Sequence, residues 1–162
     1  KESGLPYIIF RPSLIFGPGD QFTLRLSSAL RISPIFPVIG SGKAKFQPIY
    51  IGDLVSCVIM ALKDDKKQNK IFELGGPEHL TFTEIVDILA GVMNITRHKV
   101  YLPLQLMEPV VKVMEKLLPR PPVTIDQLFM LQQDNTTDLR SVEENFGFKP
   151  LTMKEALKNF LT

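Results

Sequence analysis

The chain has 162 residues, of which 44% are hydrophobic and 22% charged, and it carries a net charge of +2. That is enough for one domain around a single core, and too apolar for a disordered segment. It also argues against a nucleic-acid binder, which needs a dense basic patch: the lysines Lys63, Lys66, Lys67 and Lys70 are interrupted by Asp64 and Asp65 and read as a solvated helix end and turn.

Residues 1–6 read as the end of a helix and a turn, with Gly4 at the C-cap position and Pro6 just after it. A buried strand over residues 7–10 follows. Ile8, Ile9 and Phe10 favour extended geometry, Pro12 keeps Arg11 out of the helical region, and Gly17-Pro18-Gly19 is turn punctuation. The strand therefore delivers a loop. Asp20 caps a helix whose apolar face holds Phe22, Leu26, Ala29 and Leu30, and Ser33-Pro34 ends it.

Short extended pieces are expected over residues 37–41 and 46–51. Asp53 then caps a helix over residues 54–63 with Leu54, Val55, Val58, Ile59 and Leu62 inward. Residues 71–74 form another buried strand, closed by the turn Gly75-Gly76-Pro77. Thr81 with Glu84 is a capping box, opening a helix to residue 93 with Ile85, Ile88, Leu89 and Val92 on one face. Residues 98–102 read as one more short strand.

Over residues 104–118 the polar positions Gln105, Glu108, Lys112, Glu115 and Lys116 recur at helical spacing among apolar residues. The helix has a wide apolar face, read as core packing, and Pro109 kinks it or marks its first turn. Residues 119–122 form an extended spacer. Thr124 with Gln127 opens a helix to residue 133, residues 138–146 form a short helix ended by Gly147, and Thr152 with Glu155 opens the last, burying Met153, Ala156, Leu157, Phe160 and Leu161. Strands giving way to helices make this an α/β chain that passes into a mostly helical lobe.

Cys57 is the single cysteine and sits in an apolar run, which excludes an internal disulfide and reads as a buried, inert thiol in a reducing compartment. No secretory pattern stands at the amino terminus, and no apolar run approaches the roughly 20 residues that cross a bilayer. A cytoplasmic protein, peripheral to a membrane at most, is expected. Gly40-Ser41-Gly42-Lys43 is not a phosphate loop, because Ala44 replaces the metal-binding hydroxyl and Pro37 stands at the first glycine position. His79 and His98 lack the spacing of metal ligands and read as exposed loop residues.

Arg11-Pro12-Ser13-Leu14-Ile15-Phe16-Gly17-Pro18 resembles the Arg-Pro-x-x-x-Phe/Tyr-Gly-Pro segment of the extended and atypical short-chain dehydrogenase/reductases, the NAD(P)-dependent sugar epimerase/dehydratase relatives. Two further stretches, residues 40–54 and 71–78, are similar to later landmarks of that family in the same order. Pro121-Pro122-Val123-Thr124-Ile125-Asp126-Gln127 and Leu131-Gln132-Gln133-Asp134-Asn135 resemble the branch containing the dehydrogenase-like accessory subunit of respiratory complex I.

The resemblance implies that residues 1–162 are a single domain, the carboxyl-terminal portion of a larger NAD(P)-binding protein, with strands of a partial Rossmann sheet followed by a helical substrate-binding lobe. It implies NAD or NADP in the intact protein, a small-molecule substrate such as a nucleotide sugar, and an amino-terminal Rossmann half as the natural partner. Pro12 and Ser13 match positions near the nicotinamide end of the cofactor. Arg11, Phe16, Gly17 and Asp20 match the substrate side, as do Lys45, Gln47 and Tyr50, with Lys45 placed to meet a phosphate. For Arg11 an anchor of the loop and a strand-end ion pair stay open alternatives; Asp53 reads as a helix cap.

No catalytic residue is assigned. The glycine fingerprint that admits a pyrophosphate is incomplete, since Phe22 and Lys45 follow the Gly17-x-Gly19 and Gly40-x-Gly42 pairs. The family's Tyr-x-x-x-Lys pair is also missing: four residues after Tyr7, Tyr50 and Tyr101 stand Arg11, Leu54 and Gln105. The chain alone is expected to bind no cofactor. A bare sheet edge would favour self-association. The resemblance to the complex I accessory subunit implies an alternative function, a non-catalytic assembly or stability module that docks a partner or a membrane surface.

Overall fold

The structure is a computed structural model that describes residues 4–119, 121 and 123–161. Its strands and helices run β1 (Ile8–Pro12), β2 (Ile15–Phe16), α1 (Gln21–Ile32), β3 (Ile35–Ile39), β4 (Lys45–Phe46), β5 (Ile49–Tyr50), α2 (Ile51–Leu62), β6 (Lys70–Leu74), β7 (Leu80–Thr81), α3 (Phe82–Val92), β8 (His98–Leu102), α4 (Leu104–Leu117), α5 (Ile125–Met130), α6 (Ser141–Phe146) and α7 (Met153–Lys158). The α/β reading holds. The strands pair two by two: β1 with β6, β2 with β5 and β3 with β8, all parallel, and β4 with β7 antiparallel.

The β1–β6 pair places Ile9 opposite Ile71, Phe10 opposite Phe72 and Arg11 opposite Glu73. Side chains alternate across a strand, so Phe10 and Phe72 share one face and Ile9, Arg11, Ile71 and Glu73 the other. The first face is closed. Phe10 stacks on Phe72 there and Phe146 packs tilted against both, with centroids 5.2–6.5 Å apart, and Leu54, Cys57 and Val142 complete a buried cluster. The second face is open, with Ile9, Arg11 and Glu73 all exposed.

A second and larger cluster joins Phe16, Leu30, Phe36, Val38, Ile85, Leu89, Met153 and Leu157 beneath α1, α3 and α7. The buried residues thus form two groups instead of the single core expected. The physical reason is the short strands between them: β2, β4, β5 and β7 are two residues each and lay no continuous layer across the molecule.

Local chemistry sets most helix starts. Asp20, Thr81, Thr124 and Thr152 cap α1, α3, α5 and α7 with their side chains, the last three as complete capping boxes. Gly147 ends α6 at a φ of 75°, a left-handed conformation that costs glycine little. Asp53 departs from expectation. Helix α2 starts at Ile51 with Tyr50 as an N-cap that makes no side-chain bond, and the Asp53 carboxylate instead accepts from the Leu151 N–H at 2.9 Å. Burial pushes Asp53 above its ordinary range, and the Leu151 bond pulls the other way.

Three helix faces also differ. On α1 the buried residues are Thr23, Ser27 and Leu30 while Ala29 is exposed, and on α2 they are Leu54, Cys57 and Ala61 while Val55, Ile59 and Leu62 face outward. On α4 only Val111 is buried; Leu106, Val110, Val113 and Leu117 are 67%, 46%, 55% and 73% exposed. Core packing therefore accounts for only part of its apolar surface. Pro109 lies inside this helix, and the expected spacer after it falls partly outside the described residues.

Replacing Thr81 by Ala removes the acceptor for the Glu84 N–H and the hydroxyl that donates to its carboxylate. Chemical denaturation should show a loss of about 1 kcal/mol; an unchanged midpoint would mean that packing alone starts α3.

Candidate functional site

Strands β1 and β6 end side by side, and the chain covers those ends with a short strap, residues 134–138, between α5 and α6. The Ser13 N–H donates to the Leu74 carbonyl at 2.9 Å, extending the β1–β6 ladder by one residue, and the Ser13 hydroxyl donates to the Asn135 carbonyl at 2.6 Å. On the strap's far side the Asn135 N–H donates to the Lys45 carbonyl and the Lys45 N–H to the Asp134 carboxylate, each at 2.8 Å, and Asn135 bridges to Phe46 in parallel. An open cleft of about 230 Å³ lies between Arg11, Pro12, Ser13 and Glu73 on the strand side and residues 135–137 on the strap.

At its other end the strap is fastened by Gln47 and His79. Gln47 is 0% exposed, and its amide nitrogen donates to the Gly76 carbonyl at 2.8 Å and the Asp138 carbonyl at 3.2 Å. Its amide oxygen accepts from the Thr137 N–H at 2.6 Å and lies 3.2 Å from His79 Nε2. That fills two donors and two acceptor positions, the whole capacity of the group. His79 Nε2 also lies 2.9 Å from the Thr137 carbonyl, so this nitrogen faces two acceptors and must carry the proton.

The expected site residues fall into separate groups. Arg11, Pro12 and Ser13 share the cleft. Arg11 reaches Glu73 at 3.5 Å, forming the strand-end ion pair that was one of its two alternatives; with both side chains about 60% exposed, the pair adds little stability. Phe16, Gly17, Asp20 and Tyr50 gather elsewhere, at the start of α1. There Phe16 is buried against Tyr50, which also stacks on Phe160. A Cβ on Gly17 would stand 2.3 Å from Ile51 Cγ2, so any side chain there would have to displace Ile51 at the start of α2.

Asp20 accepts from the N–H groups of Gly17 at 3.1 Å and Thr23 at 2.7 Å and from the Thr23 hydroxyl, so its carboxylate occupies the α1 amino terminus. The Lys45 side chain is exposed and helps, after the Thr81 bonds, to hold Glu84 below its ordinary range. Gln47, expected on the substrate side, is enclosed and has no polar atom left for a ligand.

Asn135, Thr136 and Thr137 line the cleft without having been expected to. A short polar run between helices carries no periodicity, and its one hint was Asn135 at the end of a stretch that carries the resemblance. Glu73 was legible only as part of a strand; its place in the cleft follows from the register with Arg11. Among the described residues no cluster of acidic, histidine or cysteine side chains could hold a metal ion. No described helix is long and apolar enough to cross a membrane.

Residues 1–75 match the NAD dependent epimerase/dehydratase family. Over 150 residues the chain is 29% identical to the Arabidopsis thaliana NADH dehydrogenase [ubiquinone] 1 alpha subcomplex subunit 9, mitochondrial, covering 90% of this chain and 37% of that protein. Its fold is similar to that of the Thermotoga maritima UDP-glucose 4-epimerase solved with UDP-glucose (TM-score 0.66, 19% identity, 97% of this chain and 45% of that one). It is also similar to the Bacillus cereus UDP-glucuronic acid 4-epimerase solved with NAD (TM-score 0.66, 16% identity, 96% and 43%). The chain thus spans less than half the length of these relatives.

Cys57, fully enclosed beneath β6, is pushed up to about 11 by burial and then by the neighbouring Asp53 charge. A thiol reagent at pH 8 should leave the folded protein unmodified and react at the rate of unfolding; fast stoichiometric labelling of the native state would show an accessible nucleophile instead.

Proposed function

We propose that this relative of the NAD dependent epimerase/dehydratase family is the substrate-binding portion of an NAD(P)-dependent nucleotide-sugar epimerase/dehydratase-like oxidoreductase, and that it is not catalytically competent alone. The observation that carries the reading is the parallel β1–β6 pair with a polar cleft at its carboxyl end. In open α/β sheets ligands gather at that end of the strands, and parallel sheets are covered on both faces. This pair has one open face, and among the described residues neither strand pairs with a third. An amino-terminal Rossmann half fits that surface.

Within such an enzyme Pro12 and Ser13 meet the nicotinamide end of the cofactor. Arg11, Phe16, Gly17, Asp20, Lys45 and Tyr50 form the substrate side, and Gln47 acts behind them. The N-termini of α1, α3 and α7 are filled by the carboxylates of Asp20, Glu84 and Glu155, where a pyrophosphate would be repelled. No tyrosine has a lysine four residues on, so the acid/base pair that the resemblance implies for the proton transfer is not supplied by this chain.

The second reading, a non-catalytic assembly or stability module like a complex I accessory subunit, is favoured by α4. Its exposed Leu106, Val110, Val113 and Leu117 follow a 4-3-4 spacing that keeps them on one line along the helix, the pattern of a seam for another apolar surface.

Calorimetric titration of the chain alone with NADH or NADPH should give no measurable heat of binding, while mixing it with the amino-terminal half of a family relative should restore binding. Tight binding by the chain alone would overturn the reading. Light scattering at rising concentration should show self-association that Ile9→Lys on the open sheet face relieves; relief by paired Leu106→Glu and Leu117→Glu changes instead would assign the association to α4 and favour the assembly reading.

A further inference from the structure

We propose that Gln47 is the positioning residue of the cleft: its buried amide holds the strap, residues 134–138, over the ends of β1 and β6 without touching a ligand. The inference rests on the reading of the cleft as the ligand site. Asp134, Asn135, Thr136 and Asp138 are all exposed, so apolar burial contributes little to holding the strap. Polar anchors hold it instead. Ser13 and the Lys45 backbone fasten Asp134 and Asn135, whereas Thr137 and Asp138 are held by Gln47, with His79 beside Thr137.

The space around the amide is built for it. A Cβ on Gly75 would stand 2.2 Å from Gln47 Cδ, and one on Gly76 would stand 1.9 Å from the Pro48 carbonyl oxygen. Gly75 therefore admits the glutamine side chain and Gly76 the backbone that follows it, and the Gly76 carbonyl becomes one of the amide's acceptors. Three stretches far apart in sequence, at Ser13, at Lys45 to Gln47 and at Gly75-Gly76, thus converge on the strap. An amide is required because two faces oppose: one side of the group meets carbonyl oxygens and the other an N–H and an imidazole N–H. A carboxylate satisfies the second side and repels the first, and a thioether satisfies neither.

Amide hydrogen exchange, read as protection factors in the unliganded protein, tests this apart from any ligand. In Gln47→Met the Thr137 amide should lose protection by about tenfold to a hundredfold while Leu89 in α3 keeps its own. In Gln47→Glu protection of the strap should fall at neutral pH and recover as the pH drops and the carboxyl regains a proton to donate; His79, Asp138 and Asp134 face this region and should be tracked by NMR in the same titration. Unchanged protection at Thr137 in both variants overturns the proposal. So does a loss shared equally by Leu89, or a Gln47→Glu strap that acid does not restore. Failure of the unaltered chain, its strap protected, to bind NAD(P) in the reconstituted two-part protein would count against the ligand reading alone.

Discussion

Four hydrogen bonds to one enclosed amide tie together parts of this chain that have little other reason to meet. Gln47 lies between the loop after β6 and the segment before α6, and each of its polar atoms faces two partners of opposite kind. A buried polar group is tolerated only when saturated, and once saturated it specifies a single arrangement. The short strands β4 and β5 flank this residue and take their register from β7 and β2, while Gln47 joins the carboxyl-terminal half of the strap to the loop after β6.

Around that point the molecule divides by the kind of force that holds it. The aromatic cluster of Phe10, Phe72 and Phe146 and the larger cluster under α3 and α7 are apolar and closed. The cleft wall is polar and light. Such a division suits a ligand site, because local opening is drawn from regions with few buried contacts while the strands beneath stay fixed. It also explains why the Arg11–Glu73 pair can stay exposed: it rims the cleft and carries no part of the fold.

How much of this was legible depended on the range of the cause. The caps at Asp20, Thr81, Thr124 and Thr152 and the left-handed Gly147 are set within four residues, and the chain states them openly. Asp53 carries the same local signature but caps no helix, because a backbone N–H nearly a hundred residues away takes its carboxylate. Helical periodicity marked α2 and α4 as amphipathic, yet which apolar residues face inward depends on what lies beside them, and both helices keep apolar side chains in water. A period says that a face exists; only neighbours decide whether it is covered.

For the candidate site the division is similar. The turn after β1, the paired glycines after β6 and the want of a glycine fingerprint or a tyrosine-lysine pair could be read from residue types alone, because each is a local requirement of backbone geometry or of proton chemistry. That Arg11 and Glu73 stand together follows from a parallel register, and that Asn135, Thr136 and Thr137 close the cleft follows from hydrogen bonds spanning about ninety residues or more. Gln47 shows the limit most plainly. Its sequence position suggested a hand toward the ligand, but the tertiary structure turned it inward, because the desolvated carbonyls of Gly76 and Asp138 and the N–H of Thr137 needed a partner that only one amide in that place could supply.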